Sequence, residues 1–135
     1  MSPKTPKKEV VYTESAPQPV GPYSQAIRAG DLVFVAGQVP FDPVAGEFVR
    51  GTIADQARQC MENIRAIVEA AGGTLSQLVK TTIFLTNIAD FTVVNEVYGN
   101  YFDLAPPARS TVQVAALPKG VAIEIEAIAN VPLKS

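Results

Sequence analysis

"VAIEIEAIANV", residues 121–131, is the stretch that decides the fold. Val121, Ile123, Ile125, Ala127 and Ala129 fall on one side of an extended chain, and Glu124 and Glu126 fall on the other. Side chains alternate with a period of two in a strand, so this spacing predicts a strand with one buried face. That face needs a helix layer, and residues 52–71 offer one. Ile53, Ala57, Cys60, Met61, Ile64, Ile67, Val68 and Ala71 recur there at steps of three and four, forming an apolar stripe. Thr52 with Asp55 predicts an N-terminal capping box, and Gly72-Gly73 predicts the stop.

Outward from this pair, a short strand is expected at 9–13, followed by the proline-rich loop SAPQPVGP at 15–22. Strands at 23–29 and 32–36 read as a hairpin closed by Ala29-Gly30-Asp31. Residues 40–51 read as a loop. A strand is expected at 78–86. Asp90 is expected to cap a second helix reaching about Phe102, with Phe91, Val94, Tyr98 and Tyr101 or Phe102 inward. Strands at 110–114 and 121–131 complete the chain. The expected fold class is α+β: a six-stranded mixed sheet with two helices on one face. It forms a single domain over 9–135, after a disordered lysine- and proline-rich tail at 1–8.

LVFVA (32–36) and much of VKTTIFLT (79–86) are apolar on both alternating faces. Two helices cover only one face of such a sheet. The other face predicts either a second subunit or a long covering loop, and the first is favoured because large apolar patches usually mark interfaces.

The 135 residues are enough for one domain with a real core. A net charge of −2 gives no electrostatic case for nucleic acid or an anionic membrane as a partner. The chain contains no histidine, which removes imidazole metal sites and Ser-His or Cys-His nucleophiles. A single cysteine rules out an intramolecular disulfide and suits a reducing cytosol. No apolar run approaches the ~18 residues of a membrane span, and the N-terminus lacks the apolar core of a secretory signal. A cytoplasmic location is expected.

Few residues are left to carry chemistry. Glu124 and Glu126 read either as carboxylates shown to water or as a general base in an interface cleft. In a cleft, burial raises the pKa and a nearby arginine lowers it. Arg109 opens a strand whose own face holds Thr111 and Gln113, while Ser110, Val112 and Val114 make the other. Pro106 and Pro107 stiffen its approach, which suits a clamp for a carboxylate or phosphate; a salt bridge to Glu124, to Glu126 or to a neighbouring subunit fits the pattern equally. Tyr23, after Gly21-Pro22, reads first as a packing aromatic. Asn95 sits at the edge of the second helix's buried stripe, and Cys60 reads as an inert core thiol.

Together, PPARSTVQVAALPKGVAIEIEAIA, GPYSQAI, VAGQVP, QARQCMENIRAIVEAAG and VKTTIFLTNIADFTVVNEVY resemble the RidA (YjgF-like) reactive intermediate/imine deaminases, in that family's order. The resemblance runs from about Glu14 to Val131. It implies a chorismate-mutase-like homotrimer with sheets inside, helices outside and a ligand cleft at each subunit interface. It also implies hydrolysis of 2-iminobutanoate and 2-iminopropanoate to 2-oxo acids and ammonia, with no metal or organic cofactor.

Carried over by motif, Arg109 grips the substrate carboxylate and Glu124 positions or activates water. Tyr23 and Asn95 lie in the cleft, Gly37 contributes backbone, and Thr111 contributes its amide. Ala36 stands where many members have serine, and Thr111 where many have cysteine. The linker YFDLAPP is shorter than in some members. Two other functions remain open on the sequence: a non-enzymatic carboxylate sensor or holdase using the same clefts, and an endoribonuclease or translation inhibitor.

Overall fold

A computed structural model describes residues 7–133 of the chain. The expected tail at 1–8 falls outside them up to residue 6, and Lys8 opens the first strand. The main sheet holds β1 (Lys8–Val11), β2 (Ala26–Ala29), β3 (Leu32–Gln38), β6 (Leu78–Leu85), β7 (Ala108–Gln113) and β8 (Ile123–Asn130). Its spatial order is β1-β2-β3-β8-β6-β7. Only β6 and β7 run parallel, and α2 (Phe91–Gly99) is the crossover between them. The sheet is thus mixed and six-stranded, with α2 and the longer α1 (Ile53–Ala70) against it.

Alternation in β8 fixes which face is covered. Ile123, Ile125, Ala127 and Ala129 are buried in the core, which they share with Ala57, Cys60, Met61, Ile64, Ile67 and Val68 of α1. Each large apolar side chain fully buried there contributes about 1.5–3 kcal/mol relative to exposure. The capping box at α1 forms as expected: Thr52 Oγ1 accepts the Asp55 N–H, and the Asp55 carboxylate accepts the Thr52 N–H. Gly72 ends the helix at φ +92°, a conformation that disfavours any side chain. Arg28 on β2 closes the same end from inside. Its guanidinium, 9% exposed, donates to the carbonyls of Ala71, Val131 and Gly30. A cation is favourable against the negative end of a helix.

Several boundaries differ from expectation. The first hairpin strand begins at Ala26, because the chain from Thr13 to Pro17 is held as a loop by the Gln25 side chain. That buried amide accepts the Thr13 N–H and donates to the carbonyls of Thr13, Ala16 and Pro17. Residues 40–51 contain a small hairpin, β4 (Phe41–Asp42) with β5 (Glu47–Phe48), closed edge-to-face by Phe41 and Phe48. Asp90 does not cap α2 with its side chain: a 3₁₀ turn at Ile88–Asp90 leads in, capped by Asn87. α2 ends at Gly99, and three-residue turns carry the coil on to Phe102.

The second sheet face lies open. Leu32, Phe34 and Val112 remain 39%, 42% and 42% exposed on it, and no loop among the described residues covers them. Among those residues, no helix is long and apolar enough to cross a membrane.

Candidate functional site

Parallel pairing of β7 with β6 sets Arg109 beside Thr81, and this register decides where the guanidinium points. Thr81 is fully buried on the helix side, where its hydroxyl is 2.6 Å from that of Tyr98. Arg109 shares that face. Its guanidinium carbon lies 5.0 Å from the Tyr98 ring centroid and 5.4 Å from that of Phe91. Both rings come from α2, seven residues apart and so on one stripe, and each offers its negative face to the cation.

Arg109 is therefore positioned without a carboxylate. The ion pairs among the described residues are Asp55–Arg58 and Glu62–Arg65, both on α1. The salt bridge from Arg109 to Glu124 or Glu126 that the sequence left open is absent from this chain.

The guanidinium opens into a cleft of about 480 Å³ between the end of α2, the linker and the start of β7. Asn95, Tyr98, Phe102, Asp103 and Pro106 line it with Arg109. Thr111 follows Arg109 on the same face, and its buried hydroxyl oxygen has no partner. Asn95 and Arg109 thus line one cleft. Asp103 and the aromatic bed of Tyr98 and Phe91 were missed as site residues, although both rings had been assigned to the inner stripe of α2.

Glu124 stands elsewhere. It alternates with buried Ile123 and Ile125, so it projects from the open face, opposite Phe84 of β6. There it meets Gly37, at the register break between Val35 and Gln38. A Cβ on Gly37 would stand 2.7 Å from the Glu124 carboxyl carbon, so glycine is what lets the carboxylate lie over the β3 backbone. Burial, and then the charge of Glu126, raise the Glu124 pKa above the usual glutamate value. Gly37 and Glu124 form one candidate half and Arg109 and Asn95 another, on opposite faces of one sheet.

Tyr23 is half-exposed at the loop-to-strand corner, where its N–H donates to the Gly21 carbonyl. Its hydroxyl accepts the Val20 N–H at 3.5 Å. Neither bond joins it to either half. Cys60 is buried in the core, and burial, with a smaller effect of Glu124, pushes its thiol pKa well up, consistent with an inert thiol. Among the described residues, no group of three or more acidic or cysteine side chains is arranged to hold a metal ion.

The family model described as endoribonuclease L-PSP matches residues 13–131. A RutC family protein of Pyrococcus horikoshii is 57% identical over 122 residues, covering 90% of this chain and 97% of its own. The human protein named 2-iminobutanoate/2-iminopropanoate deaminase is 46% identical, covering 90% of this chain and 89% of its own. Among solved structures, a Rid family protein of Yersinia pestis superposes with a TM-score of 0.90 at 48% identity. It covers 93% of this chain and 100% of its own.

Proposed function

The chain belongs to the YjgF/RidA family, described as endoribonuclease L-PSP, and from that premise we propose that it hydrolyses small 2-imino acids to 2-oxo acids and ammonia. The observation that carries this reading is Arg109, a guanidinium bedded on two aromatic rings, with no carboxylate partner among the described residues and open to a cleft. A fork of parallel N–H donors matches a carboxylate, and the rigid approach through Pro106 and Pro107 leaves it little entropy to lose on binding.

Arg109 holds the substrate carboxylate, with Asn95 and the Thr111 amide beside it. Glu124, over Gly37, orients the attacking water and accepts its proton, and its raised pKa suits it to a base. Water adds to the C=N carbon, Glu124 passes the proton it took on to the nitrogen, and the carbinolamine hydroxyl proton follows as the C–N bond breaks to release ammonia and leave the carbonyl. Tyr23, which does not line this cleft within one chain, would reach it from the loop corner of a neighbouring copy.

Since Arg109 and Glu124 occupy opposite faces, this chemistry needs two copies. The exposed apolar side of the sheet is the surface on which a second chain would pack, with a homotrimer as the closed form. One copy then supplies Arg109 and its neighbour supplies Glu124 and Gly37.

The family's description as an endoribonuclease favours a second reading, RNA cleavage. The net charge of −2 and the lack of histidine speak against it, since neither a phosphate-binding surface nor an imidazole acid–base pair is supplied. Decay of 2-iminopropanoate generated by a dehydratase, followed as pyruvate release, tests the proposal. The wild-type protein accelerates it and Arg109→Ala does not; full activity in a correctly assembled Arg109→Ala protein would overturn it.

A further inference from the structure

We propose that Asp103 makes the cleft selective by charge, admitting monocarboxylates and turning away dicarboxylates. The inference rests on the reading of Arg109 as the carboxylate clamp. Among the described residues of a single chain, Arg109 is the one cation and Asp103 the one anion on this cleft wall, opposite the face that would bring a neighbour's Glu124. They make no ion pair with each other. The Asp103 carboxylate is therefore not consumed by its obvious partner and remains a fixed negative charge beside any ligand that Arg109 holds.

The backbone explains why the two stay apart. Three-residue turns carry α2 on through Phe102 and deliver Asp103 at the rim, next to the fully solvated Leu104. Pro106 and Pro107 then direct the chain into β7, with Arg109 fixed by its pairing beside Thr81 and by the rings beneath it. Thus one charge sits on the linker and the other on the sheet edge.

A ligand with a single carboxylate takes Arg109 and presents a neutral remainder to Asp103. A second carboxylate on the same ligand finds no cation on this wall and faces Asp103 instead. A cleft of about 480 Å³ is only about 8 Å across, within a Debye length at ordinary salt. Like charges at that range, one of them at an exposed rim, shift affinity about threefold. The expected substrates are accordingly 2-imino acids with uncharged side chains.

The test uses two ligands of equal length, 2-oxopentanoate and 2-oxoglutarate, which differ by a terminal methyl against a carboxylate. Both are titrated into the full-length protein and into Asp103→Asn, at low and at high salt. The wild type is expected to prefer 2-oxopentanoate, and high salt to narrow the gap. Asp103→Asn is expected to tighten 2-oxoglutarate about threefold while leaving 2-oxopentanoate nearly unchanged. An unchanged ratio of the two affinities in Asp103→Asn overturns the inference and leaves Arg109 as the clamp. Unaltered binding of 2-oxopentanoate by Arg109→Ala removes the clamp, and this inference with it.

Discussion

Thr81 and Tyr98 share a buried hydrogen bond of 2.6 Å between their hydroxyls, and the ring it anchors is one of the two that carry Arg109. Removing either hydroxyl strands the other in the core. Thr81→Val and Tyr98→Phe should each cost about 1–3 kcal/mol in urea unfolding, and the double variant should cost less than their sum. Tyr98→Leu removes the ring face itself and should raise KM for the imino acid roughly five-fold, the equivalent of about 1 kcal/mol of cation–π attraction.

Gly37→Ala places a methyl against the Glu124 carboxyl group, the flexible end of a side chain, and not against backbone. The carboxylate should swing aside while the fold survives. Steady-state kinetics should show kcat down by about a hundredfold, the loss typical of a reacting group misplaced by an ångström, with KM little changed because Arg109 is untouched.

Glu124 titrates above the usual glutamate value because burial, and then Glu126, disfavour its charged form. An acid whose folded pKa is raised makes no difference to stability below its unfolded pKa. It lowers stability as pH rises through the folded value, because ionisation is costlier in the folded chain. Glu124→Gln should therefore unfold at a higher temperature than wild type at pH 7, with the difference closing toward pH 4, while hydrolysis is lost. A lower midpoint for Glu124→Gln at pH 7 would mean that a cation neutralises this carboxylate in solution.

Opposite placement of Arg109 and Glu124 yields a complementation test. Arg109→Ala and Glu124→Ala are each expected to be inactive alone. Co-refolded at equal amounts, they should recover activity, because about a quarter of the clefts in randomly mixed trimers draw both native residues from different chains. Mixing without recovery would place both residues of each working site in one chain.

Much of this was legible in the sequence because local rules and packing agree. The stripe and caps of α1 and the alternation of β8 name the core face residue by residue, and the two-sided apolar strands announce the open face. The β4–β5 hairpin was missed because two-residue strands leave no periodic signal; the Phe41–Phe48 contact and the Asn63 side chain, which donates to the Val39 and Phe41 carbonyls, hold it. Parity in β7 correctly grouped Arg109 with Thr111 and Gln113. Which way that group faces depends on the parallel register with β6, a long-range fact that the order of residues does not carry. For the same reason, the choice between an ion pair with Glu124 and a free guanidinium stayed open until both faces of the sheet were assigned.

The linker from Asn100 to Pro107 separates two things that many enzymes build into one element. Arg109 is locked by strand pairing and by the rings of α2, whereas Asp103 and the fully solvated Leu104 hang beyond Tyr101 and Phe102, the linker residues that pack against the core. Under the proposed roles, changes of length or charge around Asp103 and Leu104 would retune which molecules enter without moving Arg109. Substrate range could then drift through this short segment while the residues assigned to the chemistry stay fixed.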